Sequence, residues 1–251
     1  MTLVVEGLTV RFGSTVAVDD VSFEVGDRER LGVIGASGSG KSVTSLAVTG
    51  LLSETAHVSG SIRLDGQELV GMPERDYRKL RGSRISMIFQ EPMTALDPTM
   101  RVGRQIAEVI ALHEQRAGKR STVVEELTRV GFSQPERVAD SYPHQLSGGQ
   151  RQRALIAMAI INKPELVICD EPTTALDVIV QRQILQVLDD VLTDRASIFI
   201  SHDLAVVKQV CSRVIVMDGG RVVEEGAIER IIEQPKQEYT ARLIAAARGE
   251  L

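Results

Sequence analysis

Along the first 30 residues the apolar positions come in short alternating blocks: Leu3, Val4 and Val5, then Leu8, Val10 and Phe12, then Val16, Val18, Val21, Phe23 and Val25, with breaks at Gly13 and Gly26. Blocks this short and this rich in β-branched residues predict antiparallel strands rather than helices. The run Leu31-Gly32-Val33-Ile34 then feeds a glycine-rich turn and a helix from about Lys41 to Leu52. Alternation returns from Val58 to Leu69 around an Asp65-Gly66 hairpin signal, and Ile85 to Phe89 reads as another buried strand.

The middle of the chain changes period. Between Thr99 and about Ala139 the apolar residues Val102, Ile106, Val109, Ile110, Val123, Val124, Leu127 and Val130 recur at helical spacing. This segment predicts a helical subdomain inserted between two sheet-forming halves. After Ser147 strands and helices alternate: a helix from about Gly149 to Asn162, a strand Leu166 to Asp170, and a helix over roughly Val178 to Thr193. They continue as a strand Ala196 to Ser201, a helix near Leu204 to Cys211 and a strand Val214 to Met217. Gly219-Gly220 and Gly226 mark turns, and Ala227 to Leu251 reads as a helical tail interrupted at Pro235. The fold class expected is α/β: a mostly parallel sheet with helices on both faces, an N-terminal antiparallel β-subdomain and the inserted helical subdomain.

Composition narrows the function. A chain of 251 residues with 43% hydrophobic and 25% charged positions can bury a substantial core, which excludes disordered, collagen-like and disulfide-rich classes. With Lys+Arg 29 against Asp+Glu 34, the net charge of −5 argues against a broad nucleic-acid-binding face, since phosphate backbones are held by clustered cations. Cys169 and Cys211 each sit in an apolar run, so buried thiols are expected rather than a disulfide or metal pair. The start MTLVVEGLTV has neither a basic leader nor a long apolar stretch, and no run approaches the roughly 18 apolar residues of a membrane span. A soluble, cytoplasmic protein is expected, reaching any membrane through a partner.

Three runs carry chemistry. Gly35-Ala36-Ser37-Gly38-Ser39-Gly40-Lys41-Ser42 fits G-x-x-x-x-G-K-[ST] between a predicted strand and a predicted helix. Its backbone N–H groups can cradle phosphates at a helix N-terminus, with Lys41 bridging the β- and γ-phosphates and the Ser42 hydroxyl ligating Mg²⁺. The bland alternative is a flexible connector. Leu166-Val167-Ile168-Cys169-Asp170-Glu171 delivers Asp170 to a strand's carboxyl end, where it can hold magnesium through water, and Glu171 can polarise an attacking water. A solvated acidic strand end is the competing view. Leu146-Ser147-Gly148-Gly149-Gln150 offers a helix cap at Ser147 and bare N–H groups at two glycines. Taken alone it reads as a cap; beside a phosphate loop it reads as a second anion site serving another subunit's ATP.

Together these motifs resemble the ATP-binding subunit of an ABC transporter, over nearly the whole chain. The pattern comprises Walker A at Gly35 to Ser42, a Q-loop glutamine at Gln90, the signature at Leu146 to Gln150, and Walker B with Asp170 and Glu171. A D-loop at Ala175-Leu176-Asp177 and a switch histidine in Ser201-His202-Asp203 complete it. The resemblance implies a P-loop NTPase core over 1–90 and 146–226, a helical subdomain over 91–145 and a C-terminal helical tail over 227–251. It also implies a head-to-tail dimer sandwiching two ATP molecules. Ser147, Gly148, Gly149 and Gln150 of one subunit would meet the nucleotide of the other. Gln90 would sense magnesium and the attacking water, His202 would hold the γ-phosphate beside Glu171, and Asp177 would couple the two sites. Phe12 stands where the family keeps an aromatic that stacks on adenine; the alternative is a core strand residue like Phe23.

The finer likeness lies in Ile88-Phe89-Gln90-Glu91-Pro92-Met93-Thr94-Ala95-Leu96-Asp97-Pro98 and in Glu171-Pro172-Thr173-Thr174-Ala175-Leu176-Asp177-Val178. Both runs, and Gln237-Glu238-Tyr239-Thr240-Ala241-Arg242-Leu243 near the end, resemble the peptide/nickel branch of ABC importers. That branch implies two integral-membrane permeases, a second ATP-binding subunit, an extracytoplasmic substrate-binding protein and a place on the cytoplasmic face of the cell membrane. Residues around Gln90 to Met100 are expected to receive a short cytoplasmic helix of the permease. Peptide uptake is the leading expectation, with nickel or another metal chelate as alternative cargo. A soluble ABC ATPase acting on ribosomes or DNA is the competing class, and the acidic balance and single cassette disfavour it.

Overall fold

The computed structural model describes residues 1–114, 120–174 and 176–248. Ala175 of the expected D-loop, part of the expected helical stretch (115–119) and the last residues of the expected tail (249–251) lie outside them. The chain divides into two compact units, Met1–Arg78 with Ala196–Leu251, and Lys79–Arg195. In chain order the first unit opens with β1 (Leu3–Phe12), β2 (Thr15–Val25), β3 (Arg30–Ile34), α1 (Lys41–Thr49), β4 (Ala56–Leu64), β5 (Gln67–Glu68) and α2 (Glu74–Leu80), the last running two residues past the boundary. The second unit contains β6 (Ile85–Ile88), α3 (Pro92–Ala95), α4 (Val102–Glu114), α5 (Arg120–Arg129), α6 (Pro135–Asp140), a short 3-10 turn (Pro143–Gln145), α7 (Gly148–Ile160), β7 (Leu166–Asp170) and α8 (Val178–Leu192). The chain then returns to the first unit as β8 (Ala196–Ile200), α9 (Leu204–Val210), β9 (Arg213–Asp218), β10 (Arg221–Ala227), α10 (Ile228–Glu233) and α11 (Glu238–Arg248).

In the first unit the expected short blocks merge into longer strands. β1 pairs antiparallel with both β2 and β4, and bulges between Val5 and Leu8 and between Leu8 and Val10 keep the apolar side chains inward across the breaks in alternation. Leu3, Leu8, Val10, Val18, Val21 and Val25 are fully buried as a result. The Asp65-Gly66 turn joins β4 to β5 with both residues at positive φ, as a two-residue hairpin requires. The other sheet elements of this unit run β10-β9-β3-β8. β3 lies parallel to β8 and β9, while β10 folds back antiparallel on β9.

Several boundaries differ from expectation. Helix α1 stops at Thr49 rather than near Leu52, because Gly50 turns left-handed (φ 63°) and the N–H groups of Gly50 and Leu51 close onto Ala47 and Leu46. Gly226 is not a turn: it pairs with Val214 inside β10, a strand whose alternation is masked by the charges of Glu224 and Glu225. Helix α2 carries no clear apolar period in its sequence, because five of its seven residues are charged and only Tyr77 and Leu80 are buried.

The second unit centres on β7, every residue of which is buried, beside the parallel strand β6. Helix α7 packs against β6 and α8 and buries Ala154, Ile156, Ala157 and Ile160, and α8 presents Ile184, Leu188 and Leu192 as one fully buried stripe at a spacing of four. Each leucine or isoleucine so removed from water is worth about 1.5–3 kcal/mol before entropy is charged against it. Val102, Ile106 and Ile110 of α4, and Val123 and Leu127 of α5 with Val130 just past its end, are buried as their spacing implies, with Val109 and Val124 half-buried at the edge of the stripe. Neither cysteine forms a disulfide; both are buried, and burial pushes the Cys211 thiol up to about 12. No helix among the described residues is long and apolar enough to cross a membrane.

Candidate functional site

In the first unit the segment Gly35 to Ser42 forms a tight loop between β3 and α1. A Cβ on Gly35 would lie 2.2 Å from the Met217 carbonyl oxygen, and one on Gly40 2.8 Å from that of Ala17, so at both places the backbone approaches too closely for any side chain. Both also adopt positive φ, 155° and 101°. The flexible-connector alternative fails on this packing: the loop is clamped. Gly220 contributes to the clamp, donating its N–H to Ser39 O at 3.1 Å and accepting from Asp19 N at 2.8 Å. Sequence reasoning marked Gly219-Gly220 only as a turn and missed this bracing role.

Lys41 is 6% exposed, and its Nζ donates to Gly35 O at 2.8 Å and Ala36 O at 2.9 Å, with Ser39 Oγ at 3.5 Å. A buried ammonium inside a curled loop at the start of a helix is the charge arrangement that receives a phosphate. Ser37, Gly38 and Ser42 are exposed at the loop's rim. Phe12 ends β1 opposite Thr15 and Ala56 and is half-buried, unlike Phe23, which is only 7% exposed in the core. His202 is exposed just past β8. Its backbone is set by Ser201 Oγ, which accepts from Asp203 N at 3.0 Å, and by Asp203, whose carboxylate caps α9 through Ala205 N and Val206 N.

In the second unit β7 ends on Asp170, 7% exposed, and the chain turns sharply at Glu171, which takes the left-handed conformation (φ 47°). A non-glycine residue held there costs roughly 1–3 kcal/mol, strain of the kind that collects at functional sites. The turn aims the Glu171 carboxylate at two donors: Thr174 Oγ1 at 2.7 Å and Gln90 Nε2 at 3.5 Å, both on Oε2. Gln90 and Glu171 lie 81 positions apart and meet because β6 and β7 are neighbours. With Nε2 spent on Glu171, Gln90 has Oε1 to offer a ligand. Ser42, Gln90 and Asp170 are all oxygen donors, the class that a hard divalent cation such as Mg²⁺ takes.

The Ser147 to Gln150 run forms a complete capping box on α7: Ser147 Oγ accepts from Gln150 N at 3.3 Å, and Gln150 Oε1 accepts from Ser147 N at 2.9 Å. The helix-cap reading is therefore realised, and the two glycines divide the remaining work. Gly148 is exposed, and a Cβ there would meet only Leu176 Cδ2 at 3.7 Å. Gly149 is buried, and its Cβ would stand 2.4 Å from Val180 Cγ1. The second glycine thus lets α7 approach α8, a reason that sequence alone did not show. Gly149→Ala is expected to destabilise the chain by about 1–3 kcal/mol through overpacking, a fall of several degrees in calorimetric melting temperature. Gly148→Ala is expected to leave the melting temperature nearly unchanged. Asp177, the expected D-loop residue, caps α8, accepting from Ile179 N at 3.0 Å and Val180 N at 2.9 Å, on the same helix whose Val180 abuts Gly149.

Residues 18–174 match the family model described as ABC transporter. The chain is 47% identical over 254 residues to the peptidoglycan transport ATP-binding protein YejF of Agrobacterium fabrum, covering 97% of this chain and 46% of that protein. It is 48% identical over 237 residues to a probable peptide ABC transporter ATP-binding protein of Sinorhizobium fredii, covering 92% of this chain and 70% of that one. With the oligopeptide transport ATP-binding protein AppD of Bacillus subtilis it shares 44% over 236 residues, 92% of this chain and 72% of AppD. The chain spans less than half the length of some curated relatives it matches, 46% for YejF and 38% for an OppD of Mycobacterium tuberculosis. Among solved structures, a dimeric ATP-binding cassette in a post-hydrolysis state bound to ADP and Pi superposes with a TM-score of 0.79 at 26% identity, over 90% of this chain and 98% of that one. This agreement assigns the α/β fold of the ATP-binding cassettes. By the extent of the family match and by relatives of which it covers more than two thirds, the chain belongs to the ABC transporter family.

Proposed function

We propose that this chain is the ATP-hydrolysing subunit of an ABC importer of peptides. The observation that carries the reading is the Gln90–Glu171 contact beside a strained strand end. Together with the Thr174 hydroxyl it fixes one oxygen, Oε2, and so orients the carboxylate, as the activation of an attacking water demands. In this reading the Gly35 to Ser42 loop binds the phosphates, Lys41 neutralises charge at the β- and γ-positions, and Phe12 stacks on adenine. Mg²⁺, when bound, supplies Lewis-acid neutralisation of the phosphate oxygens, with Ser42, Gln90 and Asp170 as its protein donors. Glu171 orients and deprotonates water, and His202 holds the γ-phosphate.

Ser147, Gly148, Gly149 and Gln150 serve the nucleotide of a second ATP-binding subunit, and Asp177 links the two sites. The solved relative's dimeric form bound to ADP and Pi supports that arrangement. The cargo class rests on the relatives named for peptide, oligopeptide and peptidoglycan transport, which share peptide chemistry. Two permease subunits and an extracytoplasmic binding protein complete the system, which places the chain at the cytoplasmic face of the cell membrane.

Ser147→Arg separates the shared site from ordinary binding. An arginine at that exposed cap is expected to block closure, lowering ATP turnover of the reconstituted transporter by roughly 10²-fold or more. ATP affinity of the isolated chain should stay within about twofold, at a stability cost near 1 kcal/mol for the lost cap. Equal turnover in mutant and unsubstituted transporter would remove Ser147 from the reaction.

A further inference from the structure

The peptide unit joining Gly35 to Ala36 is held at both ends. Its carbonyl oxygen accepts from Lys41 Nζ at 2.8 Å, and its N–H donates to the Tyr239 hydroxyl at 2.9 Å. A trans peptide points its C=O and N–H in opposite directions, so the two bonds grip one rigid plane from opposite sides. Tyr239 lies 203 positions from Ala36, in the first turn of α11.

The placement of that helix does not depend on the hydroxyl. Thr240 and Ile244, four apart, are 0% and 3% exposed and dock one face of α11. On β10 the Glu224 carboxylate, 9% exposed, accepts from Lys236 N at 2.8 Å and Gln237 N at 3.1 Å, anchoring the segment that enters the helix. Tyr239 is therefore delivered by a strand and a docked helix, and its ring is half-buried while its oxygen reaches the loop. An inward-turned carboxylate on an otherwise ordinary strand is explained by this anchoring.

We infer that Tyr239 is a positioning residue for nucleotide binding, its hydroxyl fixing the Gly35–Ala36 peptide whose carbonyl holds the Lys41 ammonium. The inference rests on the nucleotide reading of the loop and goes beyond it. It makes the docking of α11 a determinant of ATP affinity. Without the hydroxyl the peptide plane is free to rotate, and the Gly35 carbonyl no longer keeps Lys41 at one address.

Tyr239→Phe removes one oxygen and keeps the ring, so the full chain should fold with a melting temperature within about 4 °C of the unsubstituted protein. Two readouts then decide. By NMR, hydrogen exchange at the Ala36 amide should accelerate at least about tenfold, since its only change is the loss of its acceptor. By equilibrium titration with a fluorescent ATP analogue, the dissociation constant should rise about 3- to 10-fold, the value of one neutral hydrogen bond. Lys41→Ala is measured alongside. If Lys41→Ala loses the analogue while Tyr239→Phe binds it within 1.5-fold, as judged against about the tenfold that one bond can supply, the positioning role is overturned and the nucleotide reading stands. Unchanged Ala36 exchange overturns the role as well, without reference to any ligand. If Lys41→Ala also binds normally, the nucleotide reading falls and takes this inference with it.

Discussion

Glu171→Gln is expected to bind ATP as tightly as the unsubstituted chain yet to slow hydrolysis by about 10²–10⁴-fold, the value of a positioned general base. The substitution is nearly isosteric. The glutamine side-chain oxygen still accepts from Thr174 Oγ1, now 2.7 Å from Glu171 Oε2, so the turn at φ 47° should persist. What is lost is the negative charge and the capacity to take a proton from water. Single-turnover hydrolysis with the assembled transporter measures this directly, and equilibrium binding on the same preparation reports whether the nucleotide site survived. Turnover reduced less than about tenfold would assign the base to another group and leave Glu171 a structural part of the β7 turn.

Lys41→Ala is expected to act one step earlier, weakening ATP binding by about 10²–10³-fold. Hydrogen bonds to charged groups are worth about 1.5–3 kcal/mol each, and a phosphate-facing ammonium makes more than one. The loop also loses the cation that ties it together, because Gly35 O and Ala36 O give up their shared donor. A stability loss of about 1–3 kcal/mol should accompany the binding defect, since carbonyls in a tight loop are left with poorer partners. Lys41→Arg should not restore affinity: the planar guanidinium is larger than the space that a 6%-exposed ammonium occupies. Titration with a fluorescent ATP analogue and a thermal melt on each variant check both parts. Wild-type affinity in Lys41→Ala would end the phosphate-loop reading of Gly35 to Ser42.

Much of the fold is legible in the residues because its cues are local. The alternation through β1 and β2, the four apolar residues of β7 and the helical spacing of Val102, Ile106 and Ile110 each report one buried face, and the run Gly35 to Ser42 reports a strand-loop-helix turn. Elements without such a face were missed or misplaced. Helix α2 buries only Tyr77 and Leu80, and β10 carries an inward Glu224 that breaks its pattern. Gly226 reads as a turn from composition and is a strand residue because β10 pairs with β9 on both sides of it.

The candidate site divides along the same line. Motif context proposed Lys41, Ser147, Asp170 and Glu171, each tied to its sequence neighbours by a turn, a cap or a strand end, and the family resemblance added Gln90 and His202 as expectations. Three features waited for the tertiary structure: the 3.5 Å contact between Gln90 and Glu171, the closeness of α7 and α8 that demands Gly149, and the reach of Tyr239 to the amide of Ala36. Local patterns encode which chemical groups the chain carries, since period and propensity act over a few residues. Which groups touch is set by packing between segments distant in the chain, and that information is distributed over the whole core.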